Sequence, residues 1–213
     1  MSIKLTLLNF CRLVIFLVWP IFVFLTVASF LFSPATVEIW HYSQGHPLKQ
    51  EKQLLNKSVF NYLAGKKRLA DRFKKREKTH LKDVKALVKI VFLLRSGAFI
   101  LLLLALLVFS WQKRLAALPP LFMLSGFAFA SLQLILLLLA LTGFASMFNS
   151  FHSLLFPPNS WLFPQRSLLI QLYPYKFWLQ TALLWFSMTG LLLLGVSLVL
   201  FLKLRTRRVQ KNG

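Results

Sequence analysis

Residues Leu13 to Val37 read LVIFLVWPIFVFLTVASFLFSPATV, a run of 25 positions without a charged side chain. About 20 apolar residues in a helix cross the hydrocarbon core of a bilayer, so the run is long enough to span it. Three further runs of this kind follow. The expected spans are about 13–33, 90–111, 121–145 and 177–202. Pro20 lies inside the first and removes one backbone donor. A membrane helix keeps such a proline when a neighbour satisfies the freed carbonyl. The run is too long for the apolar part of a signal peptide and offers no convincing small-residue cleavage site, so it is expected to be retained.

Composition agrees with that reading. The chain of 213 residues is 57% hydrophobic, with 22 Phe and a mean hydropathy of +0.66, more apolar surface than a soluble domain can hide. The lone Cys11 excludes an intrachain disulfide and a cysteine-rich metal site. Lys and Arg total 26 against 5 Asp and Glu, a formal charge of +21. On a soluble protein that balance points to nucleic acid. Here the cations flank apolar spans, where anionic lipid headgroups are the partner. No RNA-module signature or zinc-ligand spacing is present, so neither nucleic acid nor a metal is expected.

Between the first two spans lies a basic region, 34–88. Leu48, Leu55, Val59 and Tyr62 recur at helical spacing and stop before Gly65. Leu69, Phe73, His80, Val84 and Val88 form a second periodic set that puts His80 on an apolar stripe. With no helix breaker between Asp71 and the next apolar run, Ile90 to Trp111, this helix is expected to run into the second span as one rod. The loop at 146–176 contains Asn149 to Pro164, which has no charged residue, one histidine and three prolines. The predicted fold is therefore an all-α membrane protein: one domain over 1–213, four transmembrane helices, and two extramembrane regions of this kind.

Four spans put both termini on one side and both extramembrane regions on the other. His80 and His152 thus share a membrane face by counting alone. Orientation is less direct, since 16 Lys and Arg lie on the histidine side against 9 on the other, with Arg95 inside a span. Taken literally, the positive-inside rule makes the histidine side cytoplasmic; the compact charges at 113–114 and in the tail favour the reverse.

Two stretches carry candidate chemistry. In Arg76-Glu77-Lys78-Thr79-His80-Leu81-Lys82-Asp83, helical spacing sets Glu77 and Asp83 three residues either side of His80, where a carboxylate can orient an imidazole. The bland reading is a solvated basic helix. In Asn149-Ser150-Phe151-His152-Ser153, the histidine sits among aromatic and hydroxyl side chains, and the bland reading is an interfacial aromatic belt. His41 and His46 lack acidic or sulfur ligands at matching spacing. Nucleophilic-serine turns and phosphate-cradling glycine loops are absent.

At these stretches the sequence resembles the bacterial lipoprotein intramolecular transacylases. The likeness rests on Arg76-Glu77-x-x-His80-Leu81-x-Asp83-Val84-Lys85, Phe151-His152-x-Leu154-Leu155-Phe156, Asn159-Ser160-Trp161-Leu162-Phe163 and Leu169-Ile170-Gln171-Leu172-Tyr173-Pro174-x-x-Phe177-Trp178. Ser167 and Tyr175 stand where the family tends to be acidic, and the basic 49–89 region is foreign to it.

The resemblance implies transfer of the sn-2 acyl chain of a diacylglyceryl-modified N-terminal cysteine to that cysteine's own α-amino group, giving a lyso-form lipoprotein without a cofactor. It implies His80 and His152 as catalytic residues, acting as base and acid in an order left open. Glu77, Asp83 and Arg76 support them, Asn149 or Ser150 serves the oxyanion, and Phe151, Phe156, Trp161 and Phe163 line an acyl-chain groove. Diacylated lipoproteins and membrane lipids are the implied partners of a monomer in the bacterial cytoplasmic membrane, histidines outside and termini cytoplasmic. Two other functions compete: a non-enzymatic protein docking anionic lipid or a partner through its basic region, and a histidine-dependent lipid hydrolase.

Overall fold

The computed structural model describes residues 3–212. Its helices, in chain order, are α1 (Ile3–Leu31), α2 (Pro34–Ser43), α3 (Gln50–Leu63), α4 (Lys75–Trp111), α5 (Leu118–Leu155), α6 (Leu168–Leu172) and α7 (Tyr175–Asn212), with a 3-10 turn at Leu115–Ala117 before α5. Among the described residues there is no strand. α1, α4, α5 and α7 are each long and apolar enough to cross a membrane.

All four of these rods are longer than a bilayer requires, and in α4 and α5 the surplus carries candidate site residues. α4 has 37 residues and α5 has 38, about 55 and 57 Å against a hydrocarbon core of roughly 30 Å. In α4 the surplus is Lys75 to Lys89, too charged to enter lipid. α5 starts beside Lys113 and Arg114, which belong at the interface, so its surplus is the far end that carries His152.

Several element boundaries differ from those expected. Ser33 and Pro34 end α1 but also start α2: the Ser33 side chain accepts from Thr36 N, and Pro34 takes the first helical position. Lys49 is the residue at which α3 begins to wind, and α3 ends just before Gly65, whose φ of +74° belongs to the left-handed region. Leu69 and Phe73, read above as part of the His80 helix, precede α4; Phe73 is buried as a loop residue instead. α5 does not stop near Ala145. Gly143 leaves helical geometry (φ −149°, ψ 35°), but no breaker follows it until Pro157 and Pro158, so the helix resumes and continues to Leu155. The predicted loop at 146–176 is thus reduced to a connection on either side of the short α6, and His152 stands on a helix.

The chain divides into two compact units, and the four long helices give a segment to each. The first comprises Met1–Val27, Leu93–Leu137 and Trp185–Gly213. Its core joins Leu8, Cys11 and Ile15 of α1 to Ala105 and Phe109 of α4 and Leu118 of α5. Pro20 costs α1 the donor to the Phe16 carbonyl, and the Ser125 hydroxyl of α5 donates to that oxygen at 2.5 Å. At Gly126 an added Cβ would lie 2.1 Å from Ser197 Oγ, so α5 and α7 approach there as closely as glycine permits.

The second unit comprises Ala28–Phe92 and Leu138–Leu184. Val37, Leu55, Val59, Phe73, Leu81, Leu169, Leu172 and Phe177 form its core. A buried polar chain runs through it: the Tyr173 hydroxyl donates to Asn56 Oδ1 at 3.1 Å, and Asn56 Nδ2 donates to the Pro34 carbonyl at 3.0 Å. His41, which sequence left without a partner, is buried with Nε2 3.0 Å from the Leu172 carbonyl. Burying polar groups is tolerable because each has a partner, and the result is a rigid backing for what lies on the unit's other elements.

Candidate active site

α4 and α5 bring His80 and His152 together within the second unit. The ring centroids are 6.5 Å apart and the planes 25° from parallel. Aromatic rings enclose the pair: Phe156 lies 5.0 Å from His80 and 5.5 Å from His152, Phe163 lies 5.5 Å from His80, and Trp161 lies 4.8 Å from His152. Phe148, which sequence reading did not single out, lies 4.0 Å from His152, one helical turn earlier on α5. Helical continuation past Ala145 was the signal that could have found it.

The two imidazoles are held differently. His152 Nδ1 is 2.7 Å from the Phe148 carbonyl. A carbonyl can only accept, so Nδ1 carries the proton and the neutral ring keeps its lone pair on Nε2. His80 Nδ1 is buried and has no hydrogen-bond partner in the protein. Burial pushes the His80 imidazole down to about 4, the His152 ring adds to this, and Asp83 opposes it. Burial also lowers His152, with the bond to Phe148 acting the other way. Both rings are therefore neutral at ordinary pH.

Glu77 does something other than the orienting contact expected of it. It is 2% exposed, and its two oxygens accept from the backbone at Lys74 N (2.8 Å) and Leu169 N (3.2 Å). The first bond is the return half of a capping box, from the third residue of α4 to the residue before it. The second reaches the first turn of α6. Ser167 caps α6 as well, accepting from Ile170 N at 3.3 Å. A single carboxylate thus fastens the connection before α7 to the start of the His80 helix.

Arg76 is exposed and makes a second tie across the same junction. Its guanidinium donates to the Asn159 carbonyl and lies 5.6 Å from the Phe163 ring. Asn159 itself has a φ of +60°, a turn conformation that asparagine tolerates. Asp83 acts on His80 through its charge. Asn149 and Ser150 are exposed on α5, and because they are inside a helix their backbone amides belong to it. Only their side chains remain as candidate oxyanion donors. Among the residues expected to line an acyl-chain groove, Phe151 is exposed, Trp161 and Phe163 are half-buried, and Phe156 is buried as a wall against both histidines. Tyr175, at a position where an acid was considered, packs its ring 5.3 Å from Phe144. Among the described residues no three of His, Cys, Asp and Glu gather as metal ligands would.

Comparison with known proteins follows the same lines. A family model described as Lit, lipoprotein intramolecular transacylase, matches residues 6–178. The in meso structure of the membrane-integral lipoprotein intramolecular transacylase Lit from Bacillus cereus matches with a TM-score of 0.76 at 15% identity, covering 93% of this chain and 98% of that one. A structure of the same Bacillus cereus protein with a histidine-to-arginine mutation gives a TM-score of 0.62 at 15% identity, covering 94% of each chain. At this identity the likeness to the solved structures is one of fold. No curated protein matches the sequence.

Proposed function

The chain belongs to the lipoprotein intramolecular transacylase family, and from that premise we propose that its histidine pair moves the sn-2 acyl chain of a diacylglyceryl-modified N-terminal cysteine onto the cysteine's own α-amino group. The observation that carries the mechanism is the unequal commitment of the two rings: His152 Nδ1 is bound to a carbonyl, and His80 Nδ1 is buried without a partner.

The reaction is an aminolysis within one molecule. The amine nitrogen attacks the ester carbonyl, a C–N bond forms, the C–O bond to glycerol breaks, and the proton lost by nitrogen ends on the glycerol oxygen. The reacting groups are already joined, so holding the lipid folded supplies much of the acceleration. His152 Nε2 is the base that takes the amine proton. His80, with its Nδ1 protonated, donates a hydrogen bond to the oxyanion, and the proton that His152 has taken passes to the leaving glycerol oxygen, so both rings end neutral. The aromatic walls, Phe151, Phe156, Trp161 and Phe163, exclude water and flank the acyl chain; Asn149 and Ser150 side chains lie on the same helix as the base. Glu77 and Arg76 hold the two sides of the site, and Asp83 acts on His80 through its charge.

The products distinguish this reading from its rivals. Mass spectrometry of lipoprotein N-termini from bacterial cells producing the chain should find an N-acyl, S-monoacylglyceryl cysteine of unchanged total mass. Loss of one acyl chain with a free amine would make the protein a hydrolase, and an unaltered lipid would leave only docking. Run across pH, the same conversion should rise with unit slope up to the amine's own value of roughly 7.7–8.0. Because the histidines are held neutral, no second limb should appear near 6.5. A slope of two below that pH would mean that an imidazole titrates in its ordinary range.

The substrate is displayed on the outer face of the bacterial cytoplasmic membrane, so the histidine side faces outward and both termini are cytoplasmic. Cysteines introduced at Lys66 and Thr206, both exposed, report this through labelling of intact cells. Lys66→Cys should react with an impermeant maleimide, and reaction of Thr206→Cys alone would reverse the orientation.

A further inference from the structure

Between Ile90 and Trp111 the α4 helix carries one charged residue, Arg95. A cation among apolar residues at membrane depth is costly, and such residues commonly mark a binding function. In the first unit Arg95 borders a groove between α1 and α4, enclosing about 380 Å³ and lined with Phe22, Thr26, Ser96, Phe99 and Ile100. Phe22 and Phe99 also line a second groove of about 230 Å³, which reaches Leu103, Leu106 and Phe122 and has no charged or hydroxyl side chain in its lining. The two share these rings and make one furrow, polar at one end and apolar at the other.

The furrow has the proportions of a lipid. Arg95 to Leu106 is eleven residues, about 16 Å along the helix, close to half of a hydrocarbon core of roughly 30 Å. Side chains on a helix lean towards its N-terminus. A side chain of Arg95's length can therefore reach back towards the headgroup level, with its alkyl stem in the apolar layer. A guanidinium carries five donors in a fork that fits phosphate oxygens, so Arg95 can bind a phosphate in addition to its contact within the protein.

We propose that the furrow between α1 and α4 holds one acyl chain of an anionic phospholipid from the surrounding bilayer, with the headgroup phosphate bound by Arg95. Charge selects the occupant. A zwitterionic lipid offers a phosphate accompanied by its own cation, and a free fatty acid or phosphate supplies only one end of the amphiphile.

The test uses the full chain in nanodiscs of phosphatidylcholine with a minority of phosphatidylglycerol, read by native mass spectrometry. Wild-type protein should retain phosphatidylglycerol over phosphatidylcholine by about tenfold or more, as expected for a charge-assisted hydrogen-bonded pair. Arg95→Gln should abolish the preference, and Arg95→Lys should keep part of it. Ile100→Trp, which fills the furrow and leaves Arg95 in place, should lose the retained lipid, and it decides the matter even where Arg95→Gln fails to fold. Equal retention of both lipids by wild type, or unchanged selectivity in Arg95→Gln, would overturn the proposal. Displacement of the retained lipid by inorganic phosphate would do the same, because the chain would then contribute nothing.

Discussion

His152→Ala should lower transacylation by roughly 10²- to 10⁴-fold, the usual contribution of a positioned general base, with the protein still folded. The side chain is half-buried, and its one protein hydrogen bond is to a carbonyl that already belongs to a helix. Removing the ring therefore leaves the backbone of α5 satisfied. His80→Ala should cost a similar factor, since the oxyanion would lose its hydrogen-bond donor. The double variant is the sharper measurement. Residues that act as a unit in one transition state are not additive, so His80→Ala with His152→Ala should be scarcely slower than the slower single variant. Losses that multiply would mean that the histidines act independently, and full activity in either single variant would remove that residue from the pair. Thermal unfolding in detergent, run in parallel, separates these outcomes from misfolding.

Glu77→Ala should produce the largest loss of stability at this site, and a loss of activity with it. The carboxylate is buried and accepts from two backbone amides on separate parts of the chain. Without it the Leu169 amide is left buried and unpaired, at roughly 1–3 kcal/mol, and the part-buried Lys74 amide loses its cap. Glu77→Gln retains one accepting oxygen but turns an NH₂ towards the other amide, donor against donor, so it should recover only part of the loss. A lower unfolding temperature together with a fall of tenfold or more in rate, at an unchanged pH profile, is the signature of a positioning residue. Were Glu77 instead a proton carrier, the profile would shift and stability would not.

That contrast shows how far residue spacing can be read. The long uncharged runs announce four spanning helices because each must supply its own backbone hydrogen bonds in lipid, and counting spans puts His80 and His152 on one face without any knowledge of packing. Pro20 even foretold a polar neighbour, which the Ser125 hydroxyl supplies. Glu77 was legible as important and illegible in its role. Three-residue spacing says that it can reach His80; it cannot say that amides 3 and 92 residues away in sequence compete for the same oxygens. α2 was signalled by Ser33 and Pro34, a helix start that also reads as a stop for α1. Ser167, read as the absence of an acid, caps α6 with its hydroxyl. The end of α5 was misplaced near Ala145 because the three prolines made all of 146–176 read as a loop, whereas Gly143 only interrupts the helix and nothing prevents it from forming again before Pro157.

Gly143 also governs aim. A regular helix turns about 100° per residue, so a histidine on an unbroken rod would have its azimuth fixed by every residue back to the rod's other anchor. The break at Gly143 resets that phase. His152 then takes its bearing from the eight residues that separate it from the glycine and from the rings they pack against. The length of the preceding apolar run can drift with the thickness of the host membrane without swinging the imidazole away from its partner.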